Sequence, residues 1–94
     1  MDRDNSLELL NSTHQFPCAF MIKIIGLHSD DFAVRVVEAI QLELGVESEV
    51  PHRVRVTPAG RHVSITAEPE VACAEQVLAI YERIRLVEGV VMTM

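Results

Sequence analysis

The sequence predicts an α+β sandwich in which two helices cover one face of a four-stranded antiparallel sheet. Three observations predict it: one long helical-period segment (Asp31–Leu44), two alternating runs around a Pro/Gly turn (His52–Thr57 and Arg61–Glu68), and a second helical-period segment before a short C-terminal apolar run. At 94 residues there is room for one domain. Apolar residues make up 49% of the chain, aromatics only 4%, so the core must be built from aliphatic side chains.

Residues 1–15 are polar apart from Leu7, Leu9 and Leu10 and read as a flexible tail, with at most a helical turn at Leu7–Leu10; residues 16–94 form the domain. Phe16-Pro17 opens the fold, because proline is tolerated where a strand begins. Cys18 to Ile25 is a dense apolar run closed by Gly26, too short for a helix, and alternation points Cys18, Phe20, Ile22 and Ile24 at the core.

Ser29-Asp30-Asp31 supplies an N-cap and acids for the positive end of a helix dipole. Phe32, Val36, Val37, Ile40 and Leu44 then form the apolar stripe, and Gly45 stops the helix. In the hairpin, Val54 and Val56 on one strand and Val63, Ile65 and Ala67 on the other face inward, about the turn Pro58-Ala59-Gly60. Pro69 ends the second of these strands. A helix starting at Ala72 or Cys73 buries Val77, Ile80, Tyr81, Ile84 and Val87, Gly89 closes it, and Val90–Met94 is the last strand. The order strand–helix–strand–strand–helix–strand, with right-handed crossovers, is the ferredoxin-like βαββαβ fold with its first and third strands central.

Phe16-Pro17-Cys18 running into Phe20, Lys23 and Gly26 resembles the opening of the YbeD-like family of small bacterial proteins. So do Glu75-Gln76-Val77 followed by Tyr81-Glu82, a last strand centred on Val90 and Met92, and Gly60 at the hairpin turn. The resemblance spans almost everything from Phe16 to Met94 and departs at Pro58-Ala59 and His62. It implies a ferredoxin-like fold close to ACT domains, regulatory units that bind amino acids or other small effectors, often at dimer interfaces. It implies no biochemical activity, because the family is largely uncharacterised.

The net charge of −6 disfavours nucleic acid as a partner, since phosphate neutralisation dominates such binding. An acidic N-terminus and the lack of a long apolar run predict a cytoplasmic protein with no membrane segment. Alternation also sends Lys23, Arg53, Arg55, His62, Ser64 and Thr66 to the outer sheet face, beside Met21, Ile25 and Val91, so that about half of the basic residues share one side of an acidic molecule. That face suits a small anionic metabolite or the acidic surface of a protein partner. An ordinary solvated face, with edge charges that discourage aggregation, accounts for the same residues. A homodimer through a strand edge or the open sheet is a further expectation.

No catalytic residue, metal site or cofactor is expected. Cys18 and Cys73 approach one another in this topology, and a helix start lowers a thiol's pKa, yet without C-x-x-C or a Cys/His ladder two reduced structural thiols explain them. His14, His28, His52 and His62 are scattered, and Ser29-Asp30-Asp31 beside His28 reads as capping. Gly26 and Gly60 read as turn glycines, without a phosphate-binding loop, and Tyr81 as a core residue with its hydroxyl at the rim.

The preferred function is therefore a non-catalytic regulatory or binding module. The alternatives are a small hydrolase of acylphosphatase-like topology, which needs an arginine-bearing glycine loop where Gly26-Leu27-His28-Ser29-Asp30-Asp31 stands, or an RNA-binding sheet, for which His62 is the sole outward stacking group. A copper chaperone lacks its cysteine pair in the first loop.

Overall fold

The computed structural model describes residues 3–94. The elements run α1 (Arg3–Thr13), β1 (Cys18–Ala19), β2 (Ile22–Leu27), α2 (Phe32–Leu44), β3 (His52–Val56), β4 (His62–Ala67), β5 (Glu70–Val71), α3 (Ala74–Ile84) and β6 (Val90–Thr93). The main sheet has the order β3-β4-β2-β6, all antiparallel, with β2 and β4 central as the crossover argument requires. A two-stranded ribbon, β1 with β5, extends it by pairing Cys18 with Val71 and Ala19 with Glu70. The ferredoxin-like sandwich expected from the sequence is thus present, with α2 and α3 on one face of the sheet.

The core lies between that face and the helices. Ile22, Ile24, Val63, Ile65 and Ala67 come from the central strands, Phe32, Val36 and Ile40 from α2, and Val77, Ile80 and Ile84 from α3, all at most 2% exposed. Val50, in the loop before β3, and Val71, on β5, are buried too, although no periodicity marks them. Gly45 ends α2 in the left-handed region (φ 68°), and its N–H donates to the Gln41 carbonyl. Gly60, at φ 75°, turns the hairpin and donates to the Thr57 carbonyl at 2.8 Å.

Four expectations change. Residues 3–13 are an α-helix rather than a tail with one turn; Met1 and Asp2 lie outside the described residues. The helix has no buried residue, but Leu10 packs against the core and the Arg3 guanidinium meets Glu82 on α3 at 2.8 Å. Its weak apolar pattern hides a helix held by tertiary contact. Val54 and Val56 are 47% and 44% exposed. They share the helix-facing side of the sheet with their partners Ile65 and Val63, but β3 is an edge strand and the two helices do not cover it.

Asp31 occupies the N-cap of α2 without a side-chain cap hydrogen bond. Its carboxylate instead accepts from Ser29 Oγ (3.2 Å) and pairs with Arg35 one turn on (3.2 Å). Gly26, finally, is not a turn glycine. It is buried inside β2, and a Cβ there would overlap the ring of Phe32, with Cε1 only 2.7 Å away.

Alanine in place of a strand glycine ordinarily stabilises, by roughly 0.5–1 kcal/mol. At Gly26 overpacking outweighs that gain, and Gly26→Ala is expected to cost about 1–3 kcal/mol net. Thermal unfolding should show a midpoint lowered by roughly 4–8 °C per kcal/mol. Phe32→Leu shortens the colliding ring, so the same alanine should cost less in that background; strictly additive losses would remove the Phe32 clash as the cause.

Tyr81 is half-buried between α3 and the last strand, donates to the Met94 carbonyl at 3.1 Å, and burial raises its pKa above the ordinary 10.0. The folded state therefore favours the neutral phenol, a contribution that is complete below the unfolded pKa and is lost as pH rises from there through the higher folded pKa. It is the sole tyrosine in a chain without tryptophan, so phenolate absorbance reports it alone. The titration midpoint should lie above that of the unfolded chain and coincide with it after denaturation; equal midpoints in both states would contradict the burial.

Candidate interaction face

The helices leave the other side of the main sheet open. Its surface is set by register, because directly paired residues on antiparallel strands present their side chains to the same side. Arg53 pairs with Thr66 and Thr66 with Lys23, which makes one row across β3, β4 and β2. Arg55, Ser64 and Ile25 make the next row, and Met92 on β6 extends it. Backbone exchange between Lys23 and Met94 (2.9 and 2.8 Å) carries the first row to the C-terminal residue.

Five of the six residues expected on this face line one open depression of ≈ 530 Å³: Lys23, Arg53, Arg55, Ser64 and Thr66, with Met21 and Val54. The sixth, His62, lies one row further along, opposite Leu27, and does not line it. Its backbone is held at the hairpin by Thr57 Oγ1 at 3.3 Å.

The electrostatics of the two sides differ. On the helical side Arg3, Arg35 and Arg83 each meet a carboxylate, of Glu82, Asp31 and Glu43 respectively. Arg35 also donates to the Glu88 carbonyl at 2.8 Å and stands 5.6 Å over the Phe32 ring. On the sheet side Lys23, Arg53 and Arg55, three of the eight basic residues, form no salt bridge among the described residues. All three are exposed. Arg61 at the hairpin and Arg85 after α3 also form no salt bridge among the described residues, but they stand apart, and only on the open face do three such cations lie together.

Periodicity placed Val91 outward beside Met21 and Ile25, but a register shift between Ile25 and Gly26 puts a bulge there. Met92 and Met94, 50% and 57% exposed, are consequently the apolar residues that β6 adds to the open-face rows, and Val91 sits in the bulge. Nothing local in the sequence signals this shift. With Met21 (55%) and Leu27 (54%) they flank Lys23 and Ile25 with large apolar side chains.

The other singled-out residues do not converge on this face. Cys18 and Cys73 are half-buried free thiols, Cys18 paired to Val71 two residues before Cys73. Cys73 is the N-cap position of α3 and makes no side-chain cap hydrogen bond; Gln76, in the first turn, reaches back to accept the Ala72 N–H at 2.7 Å. His14 packs on the Phe20 ring (4.9 Å between centroids), His52 Nδ1 lies 2.7 Å from the Val50 carbonyl, and the His28 N–H donates to the Arg61 carbonyl. Among the described residues no three His, Cys, Asp or Glu side chains group as a metal site would need. No helix of the described residues is long and apolar enough to cross a membrane.

Sequence reasoning missed a second concavity of ≈ 500 Å³ along α2, lined by Glu38, Gln41, Leu42, Gly45, Val46 and Glu47. Its apolar members are well exposed, Leu42 at 70% and Val46 at 40%, and its charges are acidic.

The fold has solved counterparts. Protein HP0495 from H. pylori superposes with a TM-score of 0.67 at 18% identity, over 87% of this chain and 86% of that one. The ACT domain from GTP pyrophosphokinase of Chlorobium tepidum superposes with a TM-score of 0.57 at 13% identity, over 79% and 91%. At such identities the likeness concerns the fold, which is ACT-like. A UPF0250 protein from Shewanella sediminis is 36% identical over 76 residues, 81% of this chain and 84% of its own length. Another from Shewanella amazonensis is 28% identical over 86 residues, 87% and 96% respectively. The model of the protein family of unknown function DUF493 matches residues 11–94. The chain therefore belongs to the DUF493 family, whose relatives carry the name UPF0250 and which is the YbeD-like family that its motifs resemble.

Proposed function

We propose that this protein is a non-catalytic binding module, ACT-like in shape, that engages an anionic partner through the open face of its sheet. The observation that carries this reading is the row structure: register gathers Lys23, Arg53 and Arg55, with the hydroxyls of Ser64 and Thr66, on one depression, and no carboxylate of the described residues forms a salt bridge with them. Natural chains keep cations on edge strands to discourage sheet-to-sheet association, and that accounts for Arg53 and Arg55 on β3. It does not account for Lys23, which lies on the central strand β2. A cytoplasmic setting is part of the same reading.

The hydrolase alternative is disfavoured by the loop after β2. Its two acids, Asp30 and Asp31, face any incoming phosphate, and the nearby arginine is engaged with Asp31, Glu88 and the Phe32 ring. The RNA alternative is disfavoured by the face itself, whose outward residues on β2 and β4 offer only His62 for base stacking.

The reading is tested on the whole protein by thermal unfolding against a panel of amino acids, nucleotides, organic acids and acidic peptides. An occupant at about 100 times its dissociation constant adds about 2.7 kcal/mol, a shift of well over ~5 °C for a chain of this size. Arg53→Glu with Arg55→Glu should abolish whatever shift is found while moving the unliganded midpoint by no more than about 4–8 °C, since both side chains are exposed. A ligand that shifts the double variant as much as the parent protein would place binding elsewhere and end this proposal.

A further inference from the structure

The open face is half basic and half apolar, and that division says what kind of occupant it fits. The basic side is the β3 edge, with Arg53 and Arg55, and the apolar side is β2 with the β6 edge, with Ile25, Leu27, Met92 and Met94. Lys23 lies between them. The four large residues Met21, Leu27, Met92 and Met94 are each at least half exposed, whereas the corresponding apolar residues of β2 on the covered side, Ile22 and Ile24, are fully buried.

A small anion would use only the cations. Those are exposed, lack a buried hydrogen-bonding partner to hold them, and sit in a depression open to water, where a single ion pair contributes little. It would also leave the methionine side uncovered. Four strands at roughly 4.8 Å spacing present a surface ~15 Å across, against a helix diameter of about 10–12 Å. A helix laid along the strands can therefore cover the methionines with an apolar stripe and bring carboxylates over Arg53, Arg55 and Lys23. Unbranched methionines adapt to varied apolar shapes, which suits a surface that receives a side-chain stripe.

We propose that the open sheet face docks an acidic amphipathic helix of a protein partner, with Met92, Met94 and Leu27 receiving its apolar stripe and Arg53, Arg55 and Lys23 its carboxylates. This rests on the reading of the open face as the interaction surface and specifies its partner. An anionic membrane would meet the same two chemistries, but a molecule of net charge −6 is repelled from it as a whole, whereas a helix contacts the cationic face locally.

The test uses the full chain and a labelled synthetic peptide of about 18 residues, five turns, with leucines at i, i+3, i+4 and i+7 spacing and glutamates flanking them. Fluorescence anisotropy should show saturable binding that weakens as salt is raised. Arg53→Glu with Arg55→Glu, and separately Met92→Ser with Met94→Ser, should each weaken it by about tenfold or more, as truncation of central interface contacts does. A peptide of the same composition with scrambled order, and one with lysines for glutamates, should bind at least about tenfold more weakly.

No saturable binding of the acidic peptide, or binding that neither double variant alters, overturns the proposal. So does capture of the protein by vesicles of anionic phospholipid when the peptide fails to bind. Failure of the peptide together with a small-anion melting shift that Arg53→Glu/Arg55→Glu abolishes would overturn the helix and leave the face itself standing. Failure of both would remove the face.

Discussion

The structure depends on the seat of one aromatic ring. Phe32, the first residue of α2 and fully buried, lies directly on the backbone of Gly26 in the middle of β2, where any side chain would displace it. Gly89, at φ 98°, borders the same ring: a Cβ there would stand 3.5 Å from it. The Leu27 N–H donates to the Gly89 carbonyl at 2.9 Å, so the strand under the ring and the turn beside it are tied together. Arg35 closes the group by spanning Phe32, Asp31 and the Glu88 carbonyl. In a chain with four aromatic residues other than histidine, one ring thus joins the helix start, a central strand and the approach to the last strand. Small domains bury a modest share of their surface, so such a junction carries more of the fold than it would in a larger protein.

Charge is sorted between the two sides by the same architecture. The helices bring arginines within reach of carboxylates one turn or one element away, as Arg35 with Asp31 and Arg83 with Glu43. Strands cannot do this on the open face, because the residues directly across from Arg53 and Arg55 are Thr66 and Ser64. Glu68, just beyond the end of β4 at Ala67, is exposed, and its backbone N–H donates to the Pro51 carbonyl. A sheet with neutral hydroxyls between cations retains its positive field, and that field is what a partner of opposite sign would meet.

The fold was legible because its segments carry strong, distinct periods. Phe32, Val36, Val37 and Ile40 repeat as a helix repeats, and His62–Ala67 alternates as a half-buried strand does. The same alternation put Lys23, Ser64 and Thr66 on the outer side, and register then placed Arg53 and Arg55 beside them. What failed was each inference that needed knowledge of coverage rather than of period. Val54 and Val56 alternate correctly and stay exposed because no helix reaches the β3 edge. The helix Arg3–Thr13 has too little apolar pattern to be read locally, since α3 stabilises it from outside.

Sequence by itself determined the order of the elements, the inward and outward sets of the central strands, and the net acidity of the chain. These depend on side-chain chemistry and on periods of two and 3.6 residues, which are local properties. Tertiary structure alone decided which cations stay unpaired, that Gly26 seats a ring rather than turns a chain, and that a bulge puts Met92 and Met94 in the open-face rows and leaves Val91 at the shift. Each of those is a distance between segments far apart in the chain, and a linear pattern holds no such distances.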